Sequence, residues 1–184
     1  MDVVALGELL IDFTENGVSG QGNPLFEANP GGAPCNVLAM LSRLGHRTAF
    51  IGKVGNDFFG KQLEDAITEV GIDAAGLLKD DKVHTTLALV HTYPDGDRDF
   101  SFYRNPGADM MLTEEELPEE IIRGAKIFHF GTLSFTHAGI RTASQYAIQC
   151  AKEAGALISF DPNLREPLWE NLEDARKAIE YGME

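Results

Sequence analysis

The chain has 184 residues, 43% of them hydrophobic and 24% charged, the balance of a globular protein with a real core. Its 29 acids against 15 bases leave a formal net charge of −14, which repels a phosphate backbone and argues against a nucleic-acid partner. No apolar run approaches the roughly 18–20 residues of a membrane helix, and the opening Met1-Asp2-Val3-Val4 lacks the basic start of a signal peptide.

Val3 to Leu6 and Thr48 to Val54 are apolar and β-rich, and each ends at a glycine, as buried parallel strands do. Between them Val37, Leu41 and Leu44 fall at helical spacing, with Leu38 beside them, and Gly45 supplies a stop. Asp57 is a good N-cap for a second helix with Phe59, Leu63, Ile67 and Val70 on one face, closed by Gly71. The strand–helix order then breaks. Thr86 to Tyr93 and Arg98 to Arg104 read as two strands around the turn signal Pro94-Asp95-Gly96-Asp97, with Phe100 and Phe102 on one face and Ser101 and Tyr103 on the other. A hairpin is not the helix a parallel crossover needs, so 86–104 reads as an excursion from the main sheet. Segment 13–30, rich in Gly and Asn without helical period, reads as a similar one.

Alternation then resumes. Thr113 to Glu116 has the form of a capping box, and Glu114, Glu115, Glu116, Glu119 and Glu120 read as a solvated helix start. Lys126 to Phe130 predicts a strand, His137 to Ala154 a helix, Ala156 to Phe160 a strand, and the segment from Asn171 onward a last helix. The simplest fold class is α/β: a doubly wound, Rossmann-like layered sheet with a small β excursion. Cys35 and Cys150 make no disulfide framework and fit a reducing cytoplasm.

Ligands of open α/β sheets bind beyond the carboxyl ends of the strands, and three polar clusters fall at that edge. Asp12 follows the first strand, Pro30 to Asn36 opens the first helix, and Asp161-Pro162-Asn163-Leu164-Arg165 follows the strand at 156–160. Each also has a plain reading. Asp12 suits a turn or cap, Gly31-Gly32 a tight turn, Asp161 and Asn163 caps, and Arg165 a surface ion pair. As ligand groups, the glycines would expose backbone N–H donors, and the Asn36 amide would both give to and accept from a hydroxyl. The chain has no Gly-x-x-x-x-Gly-Lys-Ser/Thr and no Gly-x-Gly-x-x-Gly after its first strand. His46, His84, His91, His129 and His137 show no metal-ligand spacing, and His129 reads as a core residue.

The stretch from Gly31-Gly32-Ala33-Pro34-Cys35-Asn36 through Leu44-Gly45 and Gly52-Lys53-Val54-Gly55 to Asp57 and Gly60 resembles the N-terminal signature of the ribokinase-like (phosphofructokinase-B type) carbohydrate kinases. The resemblance runs from Gly7-Glu8 to Arg165; Leu38 departs from it, standing where the signature usually has a small residue. It implies a ribokinase-like sheet with a β lid formed by segments about 13–30 and 86–104. It also implies ATP-dependent phosphorylation of a sugar hydroxyl, with Mg²⁺ carried by the ATP phosphates. Carried over by position, Asp12 would accept sugar hydroxyls, and Gly31, Gly32 and Asn36 would line the pocket. Phe102 would pack on the sugar, Arg104 would reach its oxygens, and Asn163 and Arg165 would approach the substrate or its phosphate. The segments at 102–110 and 160–169 are most similar to bacterial fructokinases, implying fructose as acceptor; keto-deoxy-sugar-acid kinases share parts of both, and ribokinase is less similar. A homodimer through the lid is a further implication.

The family takes its general base and its phosphoryl-binding amides from a Gly-Ala-Gly-Asp segment, and this chain has none. Gly107-Ala108-Asp109 lacks the second glycine and is no substitute. Residues 1–184 are therefore expected to be the substrate-binding part of a kinase domain, without the ATP-binding and catalytic part. A sugar-binding module without catalysis, or an ordinary α/β domain whose clusters are caps and turns, are the alternatives.

Overall fold

Alternate residues of β1 (Val3–Leu6) enter two different cores. Val3 and Ala5 join the cluster that holds Cys35 and Leu38 of α1 (Ala33–Arg43) and Leu63 and Ile67 of α2 (Phe58–Glu69). Val4 and Leu6 join Ala143, Ala147 and Ala151 of α4 (Ala138–Glu153) on the other face. A strand buried on both sides must be apolar throughout, which is why Val-Val-Ala-Leu shows no alternation.

The computed structural model describes residues 1–92 and 98–184. Among them, β1 is the centre of a parallel sheet in the order β5-β4-β1-β8-β9, formed with β4 (Thr48–Gly55), β5 (Ile72–Asp80), β8 (Ile127–Gly131) and β9 (Leu157–Asp161). A second sheet runs β3-β2-β6-β7, from β2 (Leu10–Val18), β3 (Pro24–Gly31), β6 (Leu87–Thr92) and β7 (Arg98–Tyr103). Here β2 pairs parallel to β6, while β2–β3 and β6–β7 are antiparallel. Both suspected excursions, 13–30 and 86–104, thus belong to one separate sheet. The turn at Pro94 to Asp97 lies outside the described residues.

Asp57 caps α2, its Oδ1 accepting the Gly60 N–H at 2.8 Å, and Gly71 leaves the helix at φ 85°. His137 and Asn171 cap α4 and α5 (Leu172–Met183) in the same way. Three expectations need correction. Leu38, set aside as a neighbour of the inward face, is the fully buried anchor of α1, whereas Leu44 is exposed. The strand β5 falls in a stretch with no strand expectation. The acidic run after Thr113 begins no long helix: residues Glu114–Glu116 form one 3-10 turn, and the five-residue α3 starts at Glu119–Arg123. Nor is Glu116 merely solvated, because its carboxylate binds the buried Lys53 ammonium at 2.6 and 2.7 Å.

Candidate functional site

The cleft opens where the carboxyl ends of β1, β8 and β9 face the second sheet, as the strand-end rule requires. Its wall carries Glu8, Leu10 and Asp12 after β1, Gly32, Ala33 and Asn36 at the start of α1, and Phe100 and Phe102 from β7. Leu133, Asn163 and Arg165 complete it, around a volume of about 130 Å³.

Gly32 precedes α1 at φ 124°, a conformation that side chains disfavour, and a Cβ there would strike the Glu8 carbonyl oxygen. The contact is reciprocal, since the Glu8 side chain accepts the Ala33 N–H at 2.8 Å. Pro34 in the first turn suits the fixed φ of a helix start. One turn into the cleft, Asn36 presents an exposed amide.

Asp12 lies on β2 with Asn29 and Ala88 as its cross-strand neighbours. A Cβ on Gly31 would fall on the Asp12 carboxylate, so Gly31 makes room for that group and does not itself line the cleft. Burial raises the Asp12 pKa, and the positive charge of Arg165 pulls it partly back. Glu8 is only 4% exposed, and burial pushes its carboxyl up to about 7. Its hydrogen bonds and Arg104 oppose that shift, while the Asp109 charge adds to it.

Phe100 and Phe102 stack with ring centroids 5.9 Å apart, 13° from parallel, on the β7 face that looks into the cleft. The Arg165 guanidinium stands 5.7 Å over the Phe100 ring, within cation–π range. Below it, Asp161 accepts the Asn163 N–H at 3.0 Å and holds Asn163 at φ 29°, a left-handed conformation that asparagine tolerates. Thr132 fastens the same turn by donating to the Pro162 carbonyl at 2.5 Å. Asp161 is therefore a turn-maker, and Asn163 and Arg165 are the residues that reach the cleft.

Of the residues expected at the site, the structure brings together Asp12, Gly32, Asn36, Phe102, Asn163 and Arg165. Arg104 is a correction. Its side chain is 2% exposed and bound to Asp109 at 2.6 Å, and it also donates to Thr136 and to the Leu133 carbonyl. The guanidinium is thus held inside the protein and does not line the cleft. Glu8, Phe100 and Leu133 line the cleft without having been chosen from sequence. Glu8 was signalled by an acid directly past the first strand, and Phe100 by its two-residue spacing from Phe102. His129 is buried, bonded to Ser159 Oγ at 2.9 Å, and held low in pKa by burial; it does not line the cleft. Among the described residues no group of three His, Cys, Asp or Glu side chains is placed to hold a metal ion.

An open parallel α/β sheet, with a second small sheet facing a polar cleft at its carboxyl edge, has the ribokinase-like architecture of sugar kinases. The profile of the pfkB family carbohydrate kinases matches residues 1–182, and the chain belongs to that family. It is 50% identical over 179 residues to a probable fructokinase-3 of Arabidopsis thaliana, covering 96% of this chain and 52% of that protein. The crystal structure of a fructokinase from Xylella fastidiosa superposes with a TM-score of 0.92 at 35% identity, covering 99% of this chain and 56% of that one. An uncharacterized sugar kinase from Pyrococcus horikoshii, solved in complex with ATP, superposes with a TM-score of 0.90 at 34% identity, covering 99% and 60%. The chain thus spans about half the length of the curated relatives it matches.

Proposed function

We propose that residues 1–184 form the sugar-binding half of an ATP-dependent fructokinase, with the second sheet as its lid. The observation that carries this reading is the cleft itself. Asp12, Asn36 and Asn163 offer hydroxyl-binding groups on one side, and the Phe100–Phe102 stack offers an apolar cover on the other. The likeness to fructokinases over nearly the whole chain supports fructose as the acceptor. So does the charge of the wall: among the described residues lining it, Arg165 is the one cation, and the charge of Asp12 already interacts with it. A keto-deoxy sugar acid would bring its carboxylate to a wall whose one cation already faces Asp12, since Arg104 is committed to Asp109.

In this reading the lid excludes water, a competing phosphoryl acceptor, and orients one sugar hydroxyl towards the ATP γ-phosphate. Asp12 fixes the sugar by accepting from its hydroxyls, and Arg165 stands where the incoming phosphate's charge would be met. These residues are not fitted to hold Mg²⁺; the family's ATP phosphates would carry it. The general base is assigned to none of the residues 1–184. Two parts of the reading concern setting. Val18, Leu25 and Phe26 are exposed on the lid hairpin and support a homodimer through the lid. The two free buried thiols, Cys35 and Cys150, support a cytoplasmic location.

Calorimetric titration of the chain with fructose, ribose and 2-keto-3-deoxygluconate tests the assignment. Fructose is expected to bind in preference to the other two, and Asp12→Ala to abolish the signal. Equal binding of the sugar acid, or unchanged affinity in Asp12→Ala, overturns it.

A further inference from the structure

The two ends of the β6–β7 hairpin meet at one buried carboxylate. Thr86 immediately precedes β6, and its hydroxyl donates to Asp109 Oδ1 at 2.5 Å. Arg104 immediately follows β7, and its Nε donates to Asp109 Oδ2 at 2.8 Å. The other guanidinium nitrogens reach Thr136 Oγ1 at 2.7 Å and the Leu133 carbonyl at 3.2 Å. Asp109 is therefore joined to both feet of the hairpin and, through Arg104, to the turn that carries Leu133 into the cleft. The neighbouring backbone is shaped for this. Thr86 accepts the Ile11 N–H at 3.2 Å, one residue before Asp12, and a Cβ on Gly107 would strike the Thr86 hydroxyl.

A buried ion pair contributes little net stability compared with apolar residues of the same volume. What this one supplies is direction, because its bonds join the start of β6, the end of β7 and the turn at Leu133 and Thr136. Neither side chain reaches the cleft. We propose that Asp109 is a positioning residue, which pins both feet of the β6–β7 hairpin and thereby sets where Phe100 and Phe102 stand over the sugar. Its consequence for sugar affinity rests on the fructose reading above; its consequence for the hairpin does not.

Hydrogen–deuterium exchange, resolved to β6 and β7, tests it in Arg104→Met/Asp109→Leu and in Thr86→Val. The double variant removes both charges together, so no unmatched ion is left to unfold the core. The expected result is a melting temperature at or above wild type, β1, β4 and β8 amides unchanged, and β6–β7 amides exchanging about tenfold faster or more. Thr86→Val keeps the ion pair and is expected to loosen β6 alone. Fructose affinity of the double variant is expected to fall about tenfold although its melting temperature does not fall. Wild-type exchange in β6 and β7 of the double variant overturns the proposal. Loss of protection throughout the core also overturns it, since the pair is then a general folding element. If the wild type binds no fructose, the sugar assignment fails, and hairpin exchange still decides the role of Asp109.

Discussion

The Glu8 side chain accepts the Ala33 N–H at 2.8 Å, and so ties the end of β1 to the first turn of α1 beside the sugar cleft. The neutral acid can still accept this bond, though the carboxylate accepts it more strongly, and burial outweighs that difference, raising the pKa from 4.5 to about 7. Between those values the folded chain binds a proton that the unfolded chain has lost. Stability from this group is thus fully present below the unfolded pKa and is lost as pH rises through the folded one. The loss is on the order of 3 kcal/mol, from about 1.36 kcal/mol per pKa unit. Glu8→Gln keeps the acceptor and removes the titration. Its urea midpoint is expected to match wild type near pH 4 and exceed it at pH 8. A wild-type decline with pH that persists in Glu8→Gln assigns the titration to another group.

Adjacent glycines at the cleft are predicted to fail differently. In Gly31→Ala the new methyl meets the Asp12 carboxylate, which can swing aside. The cost in stability is about 1–2 kcal/mol, and the larger effect is on fructose binding, because Asp12 is displaced. In Gly32→Ala the methyl meets the Glu8 backbone carbonyl, and φ of 124° is itself strained for alanine. Neither can yield, so a loss of about 3 kcal/mol or more is expected. Chemical denaturation beside sugar titration separates the two; a common profile contradicts the distinction between them.

Much of the sheet was readable because buried parallel strands are continuous apolar runs, as in Val3 to Leu6 and Thr48 to Val54. β5 was not, because Asp73 and Gly76 interrupt it. As an outer strand it tolerates both: Asp73 turns its side chain back to accept the Ala75 N–H, and Gly76 fits close under the Phe50 carbonyl. Leu38 was misplaced because 34, 35 and 38 share one face of a helix just as 37, 41 and 44 do, and only the packing of α1 on the sheet selects between them. Arg104 was misread for a related reason. Its place after an aromatic strand suggests a sugar ligand, but its fate is decided by Asp109, Leu133 and Thr136, and no local pattern announces contacts across 29 and 32 residues. Gly107-Ala108-Asp109, dismissed as an incomplete catalytic motif, contains the carboxylate that holds it.

Lys53 offers a test of the acidic run. Its side chain is 7% exposed, with Glu116 as the nearest carboxylate and Asp80 at 3.9 Å. Lys53 also pulls the Glu116 pKa down against the opposing effect of burial. Glu116→Gln leaves the buried ammonium with the weaker partner and is expected to lose about 2 kcal/mol, less than a fully buried pair because Glu116 is partly exposed. Glu115→Gln, on the same turn and solvated, is expected to stay within about 0.5 kcal/mol of wild type. Equal effects at the two positions return the whole run to ordinary surface charge.

Arg165 is predicted to act on the sugar partly through Asp12. Its charge lowers a pKa that burial raises, so it keeps Asp12 ionised further into acid. Removing the charge in Arg165→Met lets the Asp12 pKa rise, and the acid limb of fructose binding is expected to move to higher pH. Arg165→Lys retains the charge but loses the planar group above Phe100, so its acid limb should stay near wild type while affinity falls at every pH. Titrations from pH 4 to pH 8 on the three proteins separate charge from stacking. An acid limb in Arg165→Met that coincides with wild type means that Asp12 is not the carboxyl whose ionisation governs sugar binding.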